Sequence, residues 1–298
     1  MRLHRFILTA LPLAAAMFLP GSRAQDADNR PDAAPTGDQI RQLVARTLMN
    51  EHDDDLLLQQ YDRTEHDEVH ATGHGLSDKD TLNRIVPTGT GEAHVELAKN
   101  GMPTTAAQRE EAWKAIAQTL SNNARTNDPE IKKDYERAAK RERERAELVD
   151  AVAMAFRYHF VERENLGGRR VALFTFEPEP GFRTSVRYAT ICSKIHGMVW
   201  VDENAAQIVR LDAQMFDDYS FVAGIVAKIY RGSRLVLDQS EVEPGVWMPT
   251  HTNVDLEGRR FVFAASIHET IDDRDYRRVG HPQEALQAIA LERADAEK

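Results

Sequence analysis

Two groups of side chains in this sequence have types and spacings that invite chemistry. Three histidines, His66, His70 and His74, recur every four residues, and Cys192, His196 and Met198 lie within a short span. On a helix, two imidazoles four residues apart share one face and could hold a zinc ion. On a strand the same spacing separates them by about 13 Å, too far for a shared ion. Tyr61, Thr64 and Val69 suit a strand that ends near Gly73, so the histidines are expected to be separate and exposed. Cys192, His196 and Met198 are soft, copper-type ligands that strand alternation would place on one face. Gly197 interrupts that strand, no second histidine is placed nearby, and the plainer expectation for Cys192 is a small buried residue.

Other constellations are weaker. Asp53-Asp-Asp55 and Asp272-Asp-Arg-Asp275 lack the spacing and glycine of a calcium loop and are expected to be solvated turns. No nucleophile elbow, H-E-x-x-H pair, phosphate-binding loop or dinucleotide fingerprint occurs; Gly89-Thr-Gly91 lacks the third glycine and the following helix. The expectation is a protein that is not an enzyme and uses no cofactor.

The chain has 298 residues, 38 basic and 48 acidic, for a formal charge of −10. Residues 1–24 have the form of a secretory signal: Arg2 and Arg5, an apolar run from Phe6 to Leu19, and Ser22-Arg23-Ala24 as cleavage site. Cleavage near Ala24-Gln25 would deliver a periplasmic or secreted protein and, with Arg2, Arg5 and Arg23 gone, leave a charge of about −13. That sign repels phosphate backbones, so no nucleic-acid partner is expected. The apolar run is shorter than the roughly 20 residues of a membrane span, and no transmembrane segment is expected in the mature chain. Cys192 is the single cysteine, which excludes a disulfide within the chain. Residues 25–37, rich in Ala, Asp and Pro, read as a disordered leader.

The elements that must position these residues fall in two blocks within one expected domain, 38–298. A capping box, Thr36-Gly-Asp-Gln39, opens a helix with Ile40, Leu43, Val44, Thr47 and Leu48 on one face. Three strands follow, over 56–72, 82–86 and 92–98. A helical insertion, 105–166, then begins at the capping box Thr105-Ala-Ala-Gln108 and includes a second helix from Asp128-Pro129 of about 35 residues. Its middle, Lys140–Arg145, is alternating charge. Its end carries the apolar stripe Val149, Val152, Ala153, Phe156 and Phe160 and stops at Gly167-Gly168. Strands are expected over 171–176, 184–191, 220–230, 234–240, 246–249 and 260–267, with turns such as Leu256-Glu-Gly258, and a closing helix from Pro282 to about Glu292. Between them lies a hairpin whose arms, Met198–Val201 and Ile208–Leu211, flank Asp202-Glu-Asn204. Phe174 and Phe176 oppose Val171 and Leu173, so both faces of the sheet are partly apolar and helices or a ligand must cover the second.

Gly197-Met-Val-Trp-Val-Asp202, Gln207-Ile-Val-Arg-Leu211, Arg231-Gly-Ser233 and Gly245-Val-Trp-Met-Pro249 resemble the lipoprotein-carrier superfamily of the bacterial periplasm, which includes the outer-membrane lipoprotein-sorting proteins. In that family a G-x-x-W-V-D hairpin begins the second part of the sheet and a G-x-W-x-P strand follows. The resemblance covers residues 38 to 270. It implies an α+β fold in which a curved antiparallel sheet, a half-barrel, wraps helices on its concave face and encloses a cavity for acyl chains. The basic residue that the sorting proteins carry near the mouth has no counterpart by position here, and the helical insertion is longer than in a plain carrier. Trp200, Phe174, Phe176, Phe221, Tyr230 and Trp247 are the bulky strand residues expected to line such a cavity, with Trp200 facing inward. The implied partner is a lipid or lipoprotein acyl chain. An envelope protein docked on the long charged helix is the alternative, favoured if Phe156 and Phe160 fill the interior; an unrecognised hydrolase or metal protein is a further one.

Overall fold

A computed structural model describes residues 33–186, 189–221, 227–260 and 263–296. The expected signal sequence and most of the expected leader lie outside the described residues. The fold is α+β, with helices α1 (Gly37–Leu58), α2 (Ala106–Asn123), α3 (Pro129–Ala153) and α4 (Pro282–Ala296). The strands of its first half are β1 (Tyr61–Gly73), β2 (Lys79–Pro87), β3 (Glu92–Lys99), β4 (Met102–Pro103), β5 (Phe156–Leu166) and β6 (Arg169–Pro178). Those of the second are β7 (Ile195–Asp202), β8 (Gln207–Met215), β9 (Tyr219–Phe221), β10 (Ala227–Ile229), β11 (Arg234–Glu243), β12 (Val246–Arg260) and β13 (Phe263–Arg278). They form one large, open antiparallel sheet, ordered β4-β3-β2-β1-β13-β12-β11-β8-β7-β6-β5, with β9 and β10 off that path. Among the described residues no helix is long and apolar enough to cross a membrane.

The chain divides into two compact units, Met1–Asp53 with Glu144–Gln239, and Asp54–Arg143 with Ser240–Lys298. In the first, the stripe of α1 and the end of α3 pack on one face of β6, β7 and β8. Leu48, Val152, Phe174, Val199, Val201 and Leu211 are buried together there, and Ile40, Leu43 and Val44 are half-buried against them. The β7–β8 hairpin has the expected arms. Asp202 closes its turn by accepting hydrogen bonds from the backbone amides of Asn204 and Ala205, both at 3.0 Å. In the second unit α2 and α4 pack on β2 and β3 through Val86, Val95, Ile116, Leu120 and Ile289. The capping box at Thr105 and Gln108 is formed as expected.

Several expectations are corrected. The long helix ends at Ala153, and Phe156–Leu166 is a strand paired with β6. Phe156, Tyr158 and Phe160 alternate with polar residues at period two, a pattern a strand buries as well as a helix buries its stripe. Gly167 and Gly168, both at positive φ (59° and 85°), make the hairpin turn rather than a helix stop. The strand expected over 184–191 is replaced by irregular chain and a short 3₁₀ helix, Ala189–Lys194, with 187–188 outside the described residues. The 220–230 stretch is two short strands, β9 and β10, that pair with each other.

The chain from Val246 onward is two long paired strands, in which Arg260 pairs with Phe263 and Gly258 lies within the ladder opposite Ala265. Phe261 and Val262 lie outside the described residues. Asp272–Asp275 is therefore strand, not turn, and Asp53–Asp55 is helix. In the second unit charge is buried inside the sheet. Arg63 donates to Asp273 (2.9 Å) and Glu92 (3.0 Å), and Glu65 stands 3.7 Å away.

Candidate functional site

The candidate site lies in the first unit, beneath the N-terminal half of α1. There the apolar core leaves a cavity of about 40 Å³. Leu43, Val44 and Thr47 form its roof, Val152, Phe156 and Tyr158 one wall, and Phe174 and Phe176 of β6 with Val199 and Val201 of β7 the floor. Ile208, Leu211 and Leu237 complete it. Polarity in this lining is confined to the hydroxyls of Tyr158 and Thr47. Burial pushes the Tyr158 phenol well above its usual range, so it stays neutral. Thr47 is buried, and among the described residues its Oγ1 has no hydrogen-bond partner. An orphaned buried hydroxyl costs about 1–3 kcal/mol and calls for an explanation.

Helix α1 is held unevenly. Near its middle Asn50 donates to the carbonyls of Ala205 and Ala206, both at 2.9 Å. Glu51, buried, accepts from Gln239 Nε2 at 2.9 Å and from the Ile208 amide at 3.4 Å. Both residues thereby fasten the helix to the β7–β8 hairpin and to β11. Two and three turns earlier, Val44, Leu43 and Ile40 hold the sheet by half-buried apolar contact. Polar contacts thus hold the middle of the helix to the sheet, and apolar packing holds the turns that lie over the cavity.

Of the residues expected to line a cavity, Phe174 and Phe176 do so. Trp200 does not. Val199 and Val201 take the inward positions of β7, and the Trp200 indole lies on the opposite face, donating to Glu164. Trp247 is buried in the second unit, not in this one. Tyr230 follows β10, with Lys228 Nζ 5.5 Å from its ring centroid. Phe221 ends β9, and its side chain lies outside the described residues. Sequence reasoning missed the roof and its hydroxyl. The sequence presents Thr47 as one more residue of an amphipathic stripe, and a lone threonine between apolar neighbours on that stripe is the available signal.

The three histidines of β1 sit on a strand, as expected, and engage different neighbours. His66 contacts Asp80 (2.9 Å), His70 stacks on His268 (6.5 Å between centroids), and His74 stacks on Phe263 (4.4 Å). Among the described residues no three His, Cys, Asp or Glu side chains converge as a metal cage. Cys192 is buried, and burial pushes its thiol up to about 12.

No protein-family model matches the chain, and no curated protein does. Two solved structures are similar at the level of fold. A DUF1329 family protein from Desulfovibrio piger matches at 10% identity over 78% of this chain and 92% of its own, with a TM-score of 0.27. The MucA/MucB complex of Pseudomonas aeruginosa matches at 8% identity over 80% and 95%, with a TM-score of 0.21. Both are weak likenesses, and at those scores neither carries an inference about this chain.

Proposed function

We propose that this is an exported, non-enzymatic protein that binds an apolar ligand, a lipid or a lipoprotein acyl chain, between α1 and the sheet of its first unit. The export reading rests on residues 1–24, the binding reading on one observation: an apolar cavity roofed by a half-buried helix turn and holding one unpaired hydroxyl. As it stands the cavity holds about 40 Å³, whereas ligand sites run to about 300–1,000 Å³. Binding therefore requires the Ile40–Val44 turn to lift. Fully uncovering an aliphatic side chain costs about 1.5–3 kcal/mol, and three half-buried ones together cost on the order of 3–4 kcal/mol. At about 0.8 kcal/mol per buried methylene, five methylenes offset that, and a longer chain binds with the remainder. The Thr47 hydroxyl then donates to an ester or carboxyl oxygen. Native mass spectrometry after gentle purification should show an adduct of lipid mass. A clean apo mass, together with no displacement of a fluorescent fatty acid, would sink the proposal.

The small volume of the cavity favours a second reading, a module that docks an envelope protein on the exposed charged face of α3. Reversing the charges of Lys132, Lys133, Glu136 and Arg143, all exposed, should then abolish capture of the partner without unfolding. Unchanged partners would count against it.

A further inference from the structure

On the solvent face of the first unit's sheet, opposite the apolar core, a trough of about 430 Å³ runs across β5, β6, β7, β8 and β11. Strand register sets its floor in rungs. His159 pairs with Thr175, Thr175 with Met198, and Met198 with Asp212. In the next rung Arg157 pairs with Glu177, His196 with Gln214, and Gln214 with Arg234. His159 and Met198 are thus two strands apart, about 10 Å between backbones, with only the small Thr175 between them. His196 is two residues from Met198 on the same face, about 7 Å along the strand, so the His159 and His196 backbones stand about 12 Å apart on the diagonal and both rings must lean toward Met198 to share an ion. The second histidine that the sequence around Met198 lacked is supplied by β5, a segment the sequence reads as helix.

The charged groups of the trough sort themselves by hardness. Asp212 accepts from Arg234 Nε at 2.7 Å and from its second guanidinium nitrogen, and Glu177 accepts from Arg157 at 3.1 Å. Both carboxylates, the oxygen donors that would suit a hard cation, are thereby engaged by arginines. His159 lies 3.6 Å from Glu177, and the His196 ring meets the half-exposed Phe216 edge-on at 5.6 Å. The soft donors of the trough, the His159 and His196 imidazoles and the Met198 thioether, are exposed to solvent. Imidazole and thioether together select copper(I) over magnesium, calcium or manganese. Cys192 takes no part, because its thiol is buried on the core side and held protonated.

We infer that His159, His196 and Met198 form a copper(I) site over Thr175, on the face of the sheet opposite the apolar cavity. It stands independently of the lipid proposal, since it shares no donor side chain with the cavity. The test is competition for copper(I) against bicinchoninate, with ascorbate present, on the full mature chain. One copper(I) per chain is expected. Met198→Leu, His159→Gln and His196→Gln should each weaken binding at least tenfold with an unchanged circular dichroism spectrum. His66→Gln with His70→Gln, on the other unit, should leave it unchanged. X-ray absorption of the loaded protein should show sulfur scattering that Met198→Leu removes. Failure to compete with bicinchoninate, or full binding by the triple variant, would overturn the assignment, as would sulfur scattering that survives Met198→Leu.

Discussion

Replacing Asp273 by Asn should flatten the pH dependence of the second unit's stability between pH 4 and 6. Three carboxylates, Glu65, Glu92 and Asp273, face the one buried guanidinium of Arg63. Burial opposes the Arg63 charge, but the surrounding carboxylates outweigh it and hold Arg63 protonated. Those carboxylates also crowd one another. Burial first, then repulsion from Glu65 and Glu92, pushes Asp273 up to about 6 despite its bond to Arg63. The folded state therefore binds this proton more tightly than the unfolded chain, whose Asp titrates near 3.9. The resulting stabilisation is full below pH 4 and is lost as the pH rises through 6. About two units at 1.36 kcal/mol each gives roughly 3 kcal/mol in all, of which about 2 kcal/mol falls between pH 4.5 and 7.5. Asn keeps an oxygen for Arg63 and cannot titrate. Urea unfolding followed by Trp113 and Trp247 fluorescence, in a Trp200→Phe background, reads the unit that holds the cluster. Relative to the parent, Asp273→Asn should be more stable at pH 7.5 than at pH 4.5 by about 2 kcal/mol. Parallel curves for the two proteins would refute the reasoning.

Three further outcomes are expected. Thr47→Val removes the orphaned hydroxyl and should raise stability by about 1 kcal/mol while weakening the binding of fatty acids, read by thermal melts and dye displacement. A Cβ on Gly197 would fall 2.0 Å from the Asp212 carbonyl and 2.7 Å from the Phe176 ring, so Gly197→Ala should cost about 1–3 kcal/mol in urea. Cys192, buried and with its thiol held protonated, should react with an aromatic disulfide reagent at pH 8 only as fast as the unit unfolds. Rapid labelling in native buffer would contradict that.

What the sequence made legible was what local chemistry determines. Thr105 and Gln108 announced a helix start because a capping box is complete within four residues. The Trp200 hairpin was legible for the same reason: its turn is closed by Asp202 on the next residues. Phe156 to Leu166 was not, because aromatic residues at 156 and 160 fit a helical stripe as well as a strand face, and pairing with β6 decides between them. Asp272 to Asp275 failed differently. Asp272 and Asp275 stay exposed, whereas Asp273 turns inward onto Arg63, some 200 residues earlier in the chain, and breaks the rule that carboxylates face water. The candidate site was half legible. Phe174 and Phe176 were found by their bulk, whereas the inward face of β7 went to Val199 and Val201, and the larger Trp200 faces out to reach Glu164. Strand alternation gives two faces but not which one is covered.

The direct test of the lipid proposal is where a bound acyl chain lies. A palmitate carrying a photoreactive diazirine, irradiated with the mature protein and mapped by peptide mass spectrometry, should label residues 40–47, 152–158, 174–176 and 199–211, and unlabelled palmitate should compete it away. Labelling confined to other segments, or labelling that unlabelled palmitate does not reduce, would contradict a ligand site beneath α1.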